Sequence, residues 1–266
     1  MANEVLEARG LSKAYARRGM LRKSTGRVQA VDGVSCRLTR GETVGLVGES
    51  GCGKTTLAKL LVGLVQPTAG EVLVRGTPLA RLRGSELLAA RRAVQLIFQD
   101  PMHSLNPRMT VEAILSEPLI IHGLARGQIA RRARVDQLLA SVRLPASYRT
   151  RLPRELSGGE RQRVGIARAI AVDPDCLICD EPIASLDVSV GAQILELLRS
   201  LREERGMGLL FISHDLRAVA WLCDRLMVMR DGRVIETGAS AGLLAQPRDP
   251  YTALLIRSAS LDLDAV

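Results

Sequence analysis

The sequence predicts an α/β fold: a mostly parallel sheet with an N-terminal antiparallel β subdomain and an inserted helical subdomain. Three observations predict it. After Ser157, short apolar runs alternate with helix-length segments, the pattern of parallel strands joined by crossover helices. Before Gly41 the chain reads as short strands with turns. From about Asp100 to Arg154 charged helical segments dominate, broken by Asn106-Pro107, Pro118, Gly123, Pro145 and Pro153. The 266 residues suit one large domain or two small ones, with a core that needs neither disulfides nor metals.

In chain order, Val5 to about Gly41 supplies the first strands, with a basic stretch, Ala16–Arg27, read as a solvated hairpin loop. The apolar run ETVGLVGES ends in a glycine-rich turn. A helix follows, with Leu57, Leu60, Leu61 and Leu64 on one face. Gly70–Arg75 and Val94–Phe98 read as strands, and AILSEPLII and QIARRARVDQLLASV as helices of the insertion. Beyond Ser157 the reading is helix to about Ala171, strand Cys176–Asp180, helix Val188–Arg205, strand Gly208–Ser213 and helix Leu216–Cys223. A hairpin around Asp231-Gly232 and one short helix close the chain. The main domain is expected to span 1–240, with the insertion at about 100–156 and a tail at 241–266.

Hydrophobic residues make up 47% of the chain, which excludes a disordered polypeptide. No apolar run approaches the ~18 residues of a membrane-spanning helix. The N-terminus MANEVLEARG lacks the basic and apolar stretches of a signal peptide, so a cytoplasmic chain is expected. The net charge of +9 suits nucleic acid or the anionic inner face of a membrane. With only 2% aromatic residues there is little to stack on bases, and nucleic acid is not expected as a partner. Cys176 and Cys179 form a C-x-x-C inside an apolar run, and they read as buried small hydrophobes.

Gly48-Glu49-Ser50-Gly51-Cys52-Gly53-Lys54-Thr55 fits the phosphate-binding pattern G-x-x-x-x-G-K-[ST] at every fixed position, after a strand and before a helix. Its backbone N–H groups, continuing to Thr56, can curl around phosphate oxygens at a helix N-terminus. Lys54 can reach the β- and γ-phosphates, and Thr55 can ligate Mg²⁺. This makes the α/β core a P-loop NTPase core. The run Cys176–Glu181 adds the acidic half: Asp180 to hold Mg²⁺, Glu181 to polarise the attacking water. Leu156-Ser157-Gly158-Gly159-Glu160 contains an S-x-x-E capping box. Two glycines in a first helical turn cost stability, however, and make sense if Ser157 and the backbone approach a phosphate held by another subunit.

LSGGERQR resembles the signature motif of ATP-binding cassette (ABC) ATPases, and its place between P-loop and acidic strand follows that family's order. Tyr15 resembles the aromatic that stacks on adenine. Gln99, after Phe98, resembles the Q-loop glutamine, which implies a place with the catalytic and metal-binding groups and a link to the membrane partner. Ser185-Leu186-Asp187 resembles the D-loop, implying that Asp187 belongs to the nucleotide site. His214 resembles the switch histidine at the γ-phosphate. Glu160 departs from the family, which most often has Gln there, so its direct contact with ATP is in doubt.

Val28–Thr56 and Leu96–Val111 resemble the ATPases of peptide and nickel importers. Asp249-Pro250-Tyr251-Thr252 resembles the P-Y-T segment of their tails, without the cysteine cluster that some carry. The resemblance implies ATP and Mg²⁺ as cofactors and integral-membrane permeases as partners. It also implies a second ABC ATPase, copy or paralogue, in a head-to-tail pair, a substrate-binding protein acting indirectly, and a peripheral place on the cytoplasmic face of the membrane. Peptides and nickel or its chelates stay open as cargo. A soluble ABC ATPase acting on nucleic acid or ribosomes is the alternative; tandem cassettes or long coiled coils would favour it, and neither occurs here. A P-loop kinase or GTPase would lack the signature and His214. Since every nucleotide motif precedes Ala245, removal of the tail is expected to leave the site working.

Overall fold

The computed structural model describes residues 4–18, 24–99 and 104–258. Strands β1 (Glu4–Arg18), β2 (Ser24–Thr39), β4 (Ala69–Val74) and β5 (Thr77–Pro78) make an antiparallel sheet in the order β2-β1-β4-β5. This is the expected N-terminal β part, but its first two strands are long, at 15 and 16 residues. Repeated register shifts bulge them, which is how one strand pair bends over a core. Pairing runs on to Arg18 opposite Ser24, so both ends of the expected loop are strand. Residues 19–23 lie outside the described residues.

The second sheet holds β3 (Thr43–Val47), β6 (Val94–Ile97), β7 (Cys176–Asp180), β8 (Gly208–Ile212), β9 (Arg225–Arg230) and β10 (Arg233–Ala239). Its order is β10-β9-β3-β8-β7-β6, parallel throughout except for β10 against β9. Every residue of β3, β7 and β8 is buried. Such unbroken apolar runs are what a sheet covered on both faces requires. Alternation then divides each strand between two cores. Leu177, Cys179, Leu209 and Phe211 join one core. Cys176, Ile178, Leu210 and Ile212 join the other, beneath the N-terminal sheet.

The helices are α1 (Lys54–Leu61), α2 (Gly84–Ala93), α3 (Val111–Ile121), α4 (Gln128–Ser141), α5 (Gly158–Ile170), α6 (Val188–Arg205), α7 (Leu216–Leu222), α8 (Ser240–Ala245) and α9 (Pro250–Ser258). The insertion is helical as expected. Its α3 and α4 bury Ile114, Leu115, Leu119, Val135, Leu138 and Leu139 in the same core as α5. Pro118 lies inside α3 rather than breaking the chain there. The sequence reading has no counterpart for α2, which buries only Ala90 and Ala93 and so shows little apolar period. The tail carries two helices where one was expected. Among the described residues no helix is long and apolar enough to cross a membrane.

One consequence of the strand order positions the site. Strands β3, β8, β7 and β6 are consecutive neighbours. Leu46 pairs with Ile212, Ile212 with Asp180, and Cys179 with Ile97. Their C-terminal ends therefore form one edge, and the residues that follow them gather there.

Candidate functional site

The P-loop leaves β3 and enters α1. Its tight path is set by close neighbours. Gly53 has φ +111°, and a Cβ there would stand 2.0 Å from the Ala30 carbonyl oxygen; at Gly48 it would stand 2.1 Å from that of Met229. Only glycine fits either place. The buried Lys54 ammonium donates to the carbonyl oxygens of Gly48 (2.7 Å) and Glu49 (2.9 Å), closing the loop on itself. Gly232 N–H, in the β9–β10 turn, donates to the Cys52 carbonyl at 3.0 Å. Among the described residues, the N–H groups of Ser50, Gly51, Gly53, Lys54, Thr55 and Thr56 find no protein acceptor. Six donors without a protein acceptor in one glycine-rich loop at a helix N-terminus suit an anion cradle.

The acidic half stands beside it. Thr55 Oγ1 donates to Asp180 Oδ1 at 3.3 Å, joining the start of α1 to the end of β7. Burial pushes the Asp180 carboxyl above its ordinary range, against the pull of Thr55. A hydroxyl and a carboxylate oxygen this close are the hard donors that Mg²⁺ takes, so the residues present fit the ion. Glu181 is held at φ +50°, a costly conformation for a side-chain-bearing residue. Its N–H donates to the Ile212 carbonyl at 2.9 Å, which fixes the turn out of the sheet. The Glu181 carboxylate lies 2.6 Å from His214 Nδ1, which follows β8. The Glu181 side chain is 12% exposed and that of His214 65%. Lys54, Thr55, Asp180, Glu181 and His214 are thus one constellation, and Gln99, exposed, follows the adjacent β6.

The signature segment lies elsewhere. No hydrogen bond or ion pair among the described residues joins Ser157, Gly158 or Gly159 to the P-loop. Ser157 caps α5: Glu160 N–H donates to its hydroxyl at 3.3 Å, and its own N–H donates to Glu160 Oε2 at 2.7 Å. The Tyr148 hydroxyl takes the other Glu160 oxygen. Tyr148 and the Ser157 N–H hold the Glu160 carboxyl below its usual range. Both oxygens are thereby hydrogen-bonded within the chain's own fold. The glycines have a packing reason that the sequence reading missed. A Cβ on Gly159 would stand 2.4 Å from Val190 Cγ1 of α6, and one on Gly158 3.3 Å from Leu186 Cδ2. Asp187 is the N-cap of α6, accepting from Val190 N–H at 2.9 Å and the Ser189 hydroxyl at 2.7 Å.

Tyr15 stands 42% exposed on β1, with Lys13 Nζ 5.3 Å from its ring centre. Cys176 and Cys179 are fully buried, and burial raises both thiols. The tail touches the site. The Tyr251 hydroxyl of α9 accepts the Glu49 N–H of the P-loop at 3.1 Å, so the tail is not separate from the site. P-Y-T is a visible sequence feature, but no local pattern joins position 251 to position 49.

A phosphate cradle, an adjoining acid and hydroxyl, and a carboxylate–histidine pair on one edge of a parallel sheet define the class of P-loop nucleotide hydrolases. Residues 31–184 match the family model of the ABC transporter domain. The chain belongs to the ABC transporter family and is an ATP-binding ATPase of it. It is 50% identical over 231 residues to YkfD of Bacillus subtilis (strain 168), a protein designated for oligopeptide transport ATP binding; the match covers 87% of this chain and 70% of that one. AppF of the same organism, an oligopeptide transport ATP-binding protein, is 43% identical over 256 residues, covering 96% and 78%. The cassette MJ0796, solved as a dimer in a post-hydrolysis state with ADP and Pi, superposes with TM-score 0.77 at 30% identity, covering 88% of this chain and 98% of that one.

Proposed function

We infer that this chain is the ATPase subunit of a peptide importer, working from the cytoplasmic face of the membrane with integral-membrane permeases and a second ABC ATPase. Residues 1–240 form the cassette and 241–266 its tail. Peptide is favoured over nickel because the relatives at 43–50% identity carry oligopeptide transport in their names. A substrate-binding protein would deliver the cargo.

The observation that carries the reading is the six-donor cradle beside the Thr55–Asp180 and Glu181–His214 pairs. The cradle and Lys54 bind the β- and γ-phosphates of ATP, and Tyr15 offers the adenine an exposed face. Thr55, Asp180 and Gln99 would hold Mg²⁺, which when bound supplies charge compensation to the phosphates. The Glu181 carboxylate accepts a hydrogen bond from the attacking water, orients it and polarises it. His214, 2.6 Å from that carboxylate, holds it in place and faces the γ-phosphate. Ser157, Gly158, Gly159 and Asp187 would complete the site of a partner ATPase. That no hydrogen bond or ion pair among the described residues joins the signature to the chain's own P-loop supports a head-to-tail arrangement.

The test is the transporter reconstituted with both permeases and a binding protein. Peptide-loaded binding protein should stimulate hydrolysis and uptake. Stimulation by nickel but not peptide would overturn the cargo, and failure to assemble with permeases would overturn the importer. In that assembly Lys54→Ala should disable the site on this chain, and Ser157→Arg the site whose P-loop belongs to the partner. Ser157→Arg disabling only the nucleotide bound by its own Lys54 would refute the head-to-tail pair.

A further inference from the structure

The shape of the P-loop depends on residues far away in sequence. Lys54 closes it from inside, and Gly232 and the Ala30 carbonyl bound it from the sheets. The remaining brace comes from the tail. Tyr251 is buried, 6% exposed, in the larger core with Leu243, Leu244 and Ile256. Arg230 covers its ring at 4.8 Å. From this seat the hydroxyl reaches the Glu49 N–H, the second residue of the loop.

The seat itself is pinned. The Glu236 carboxylate of β10 accepts the N–H groups of Arg248 (2.9 Å) and Asp249 (3.2 Å). Asp249 in turn accepts the Tyr251 N–H at 2.8 Å. The chain entering α9 is therefore fixed to the sheet on one side and to the P-loop on the other. A buried aromatic with only its polar tip directed at a loop N–H is a strut.

We propose that Tyr251 is a positioning residue for the nucleotide site: through its hydroxyl, the C-terminal helix holds the P-loop in the conformation that binds phosphate. Glu49 N–H is engaged by Tyr251 while the six donors from Ser50 to Thr56 point free, so the tyrosine fixes the entry of the cradle without competing for the ligand. Loss of one hydrogen bond of this kind lowers the fraction of loops ready to bind, and affinity falls by that fraction. The proposal rests on the P-loop as the ATP phosphate site, and the experiment separates the two.

The full chain is compared as wild type, Tyr251→Phe, Glu236→Ala, the double variant and Lys54→Ala, with ATP binding, steady-state hydrolysis and unfolding of the nucleotide-free protein measured for each. Tyr251→Phe keeps the buried ring and the Arg230 contact. It should weaken ATP binding about 2- to 13-fold, the range of a typical net hydrogen bond. KM should rise by a similar factor while kcat stays within about twofold, because the strut serves the bound ground state and the transition state equally. Glu236→Ala should weaken binding comparably by releasing the seat, and the double variant should be no weaker than the worse single. Unchanged ATP affinity in Tyr251→Phe, with binding lost in Lys54→Ala, overturns the strut and leaves the P-loop reading standing. Fully additive losses in the double variant also overturn it. Unchanged ATP binding in Lys54→Ala overturns the site on which the proposal rests.

Discussion

Gly159→Ala is the substitution on which the structure and the sequence disagree most sharply. As a helical position, Gly to Ala should gain about 1 kcal/mol. The added Cβ would stand 2.4 Å from Val190 Cγ1, whose other side-chain atoms lie at 3.8 Å and 4.0 Å. Val190 sits in the first turn of α6, where a β-branched side chain has one strongly preferred rotamer, so it yields only by moving α5 against α6. Overpacking of that kind costs about 1–3 kcal/mol, leaving a net loss of roughly 0–2 kcal/mol. In a Val190→Ala background the clash is gone and only the helical gain remains. The same substitution should therefore reverse its sign, with a coupling of about 1–3 kcal/mol across the cycle. Thermal unfolding of the four proteins reads it directly, at about 2–4 °C per kcal/mol for a large domain. Additive effects on melting temperature would refute the packing argument. Hydrolysis in the assembled transporter tells the rest. If the double variant regains stability but not turnover, the missing side chain also serves close approach to phosphate.

Glu181→Gln should keep ATP bound and slow hydrolysis about 10²- to 10⁴-fold, measured by single-turnover phosphate release; lost binding in a folded protein would give Glu181 another role. Asp180→Asn should abolish Mg²⁺-dependent hydrolysis yet leave the nucleotide-free protein as stable or more so. Its raised carboxyl means that the ionised form costs the fold stability above the ordinary aspartate range, so a melting temperature several degrees lower would contradict this. Glu160 has the opposite sign. Its lowered carboxyl stabilises the fold above the ordinary glutamate range, and that contribution disappears as pH falls through the lowered value. The stability gap between wild type and Glu160→Gln should therefore be full near neutrality and close on acidification, as unfolding across that pH range would show.

Much of this molecule is legible in its sequence because the signals are local. The P-loop is contiguous, strand-to-helix alternation after Ser157 is a short-range pattern, and helix Val188–Arg205 appears with the bounds expected for it. The S-x-x-E box at Ser157 forms as such a box should. Local pattern fails where packing decides. Helix Gly84–Ala93 buries two alanines and has no apolar stripe to read. The long bulged strands β1 and β2 exist because each lies along the other, and that pairing takes in both ends of the stretch expected as a loop at Ala16–Arg27.

Which chemistry is present can be read along the chain: the phosphate loop, the acidic strand end, the histidine and the signature, each a set of residues whose spacing carries its own reason. Which of them meet depends on how the sheets pack. Strand order places β8 between β3 and β7, and this brings Glu181 to within 2.6 Å of His214, while Ser157 is bonded to Glu160. Packing also decides that Gly159 makes room for Val190 and that Tyr251 reaches back to Glu49. Sequence patterns record what a residue does for its neighbours along the chain. A hydrogen bond or a van der Waals contact between positions two hundred residues apart leaves no period or spacing to read, because its geometry exists only after the sheets have packed.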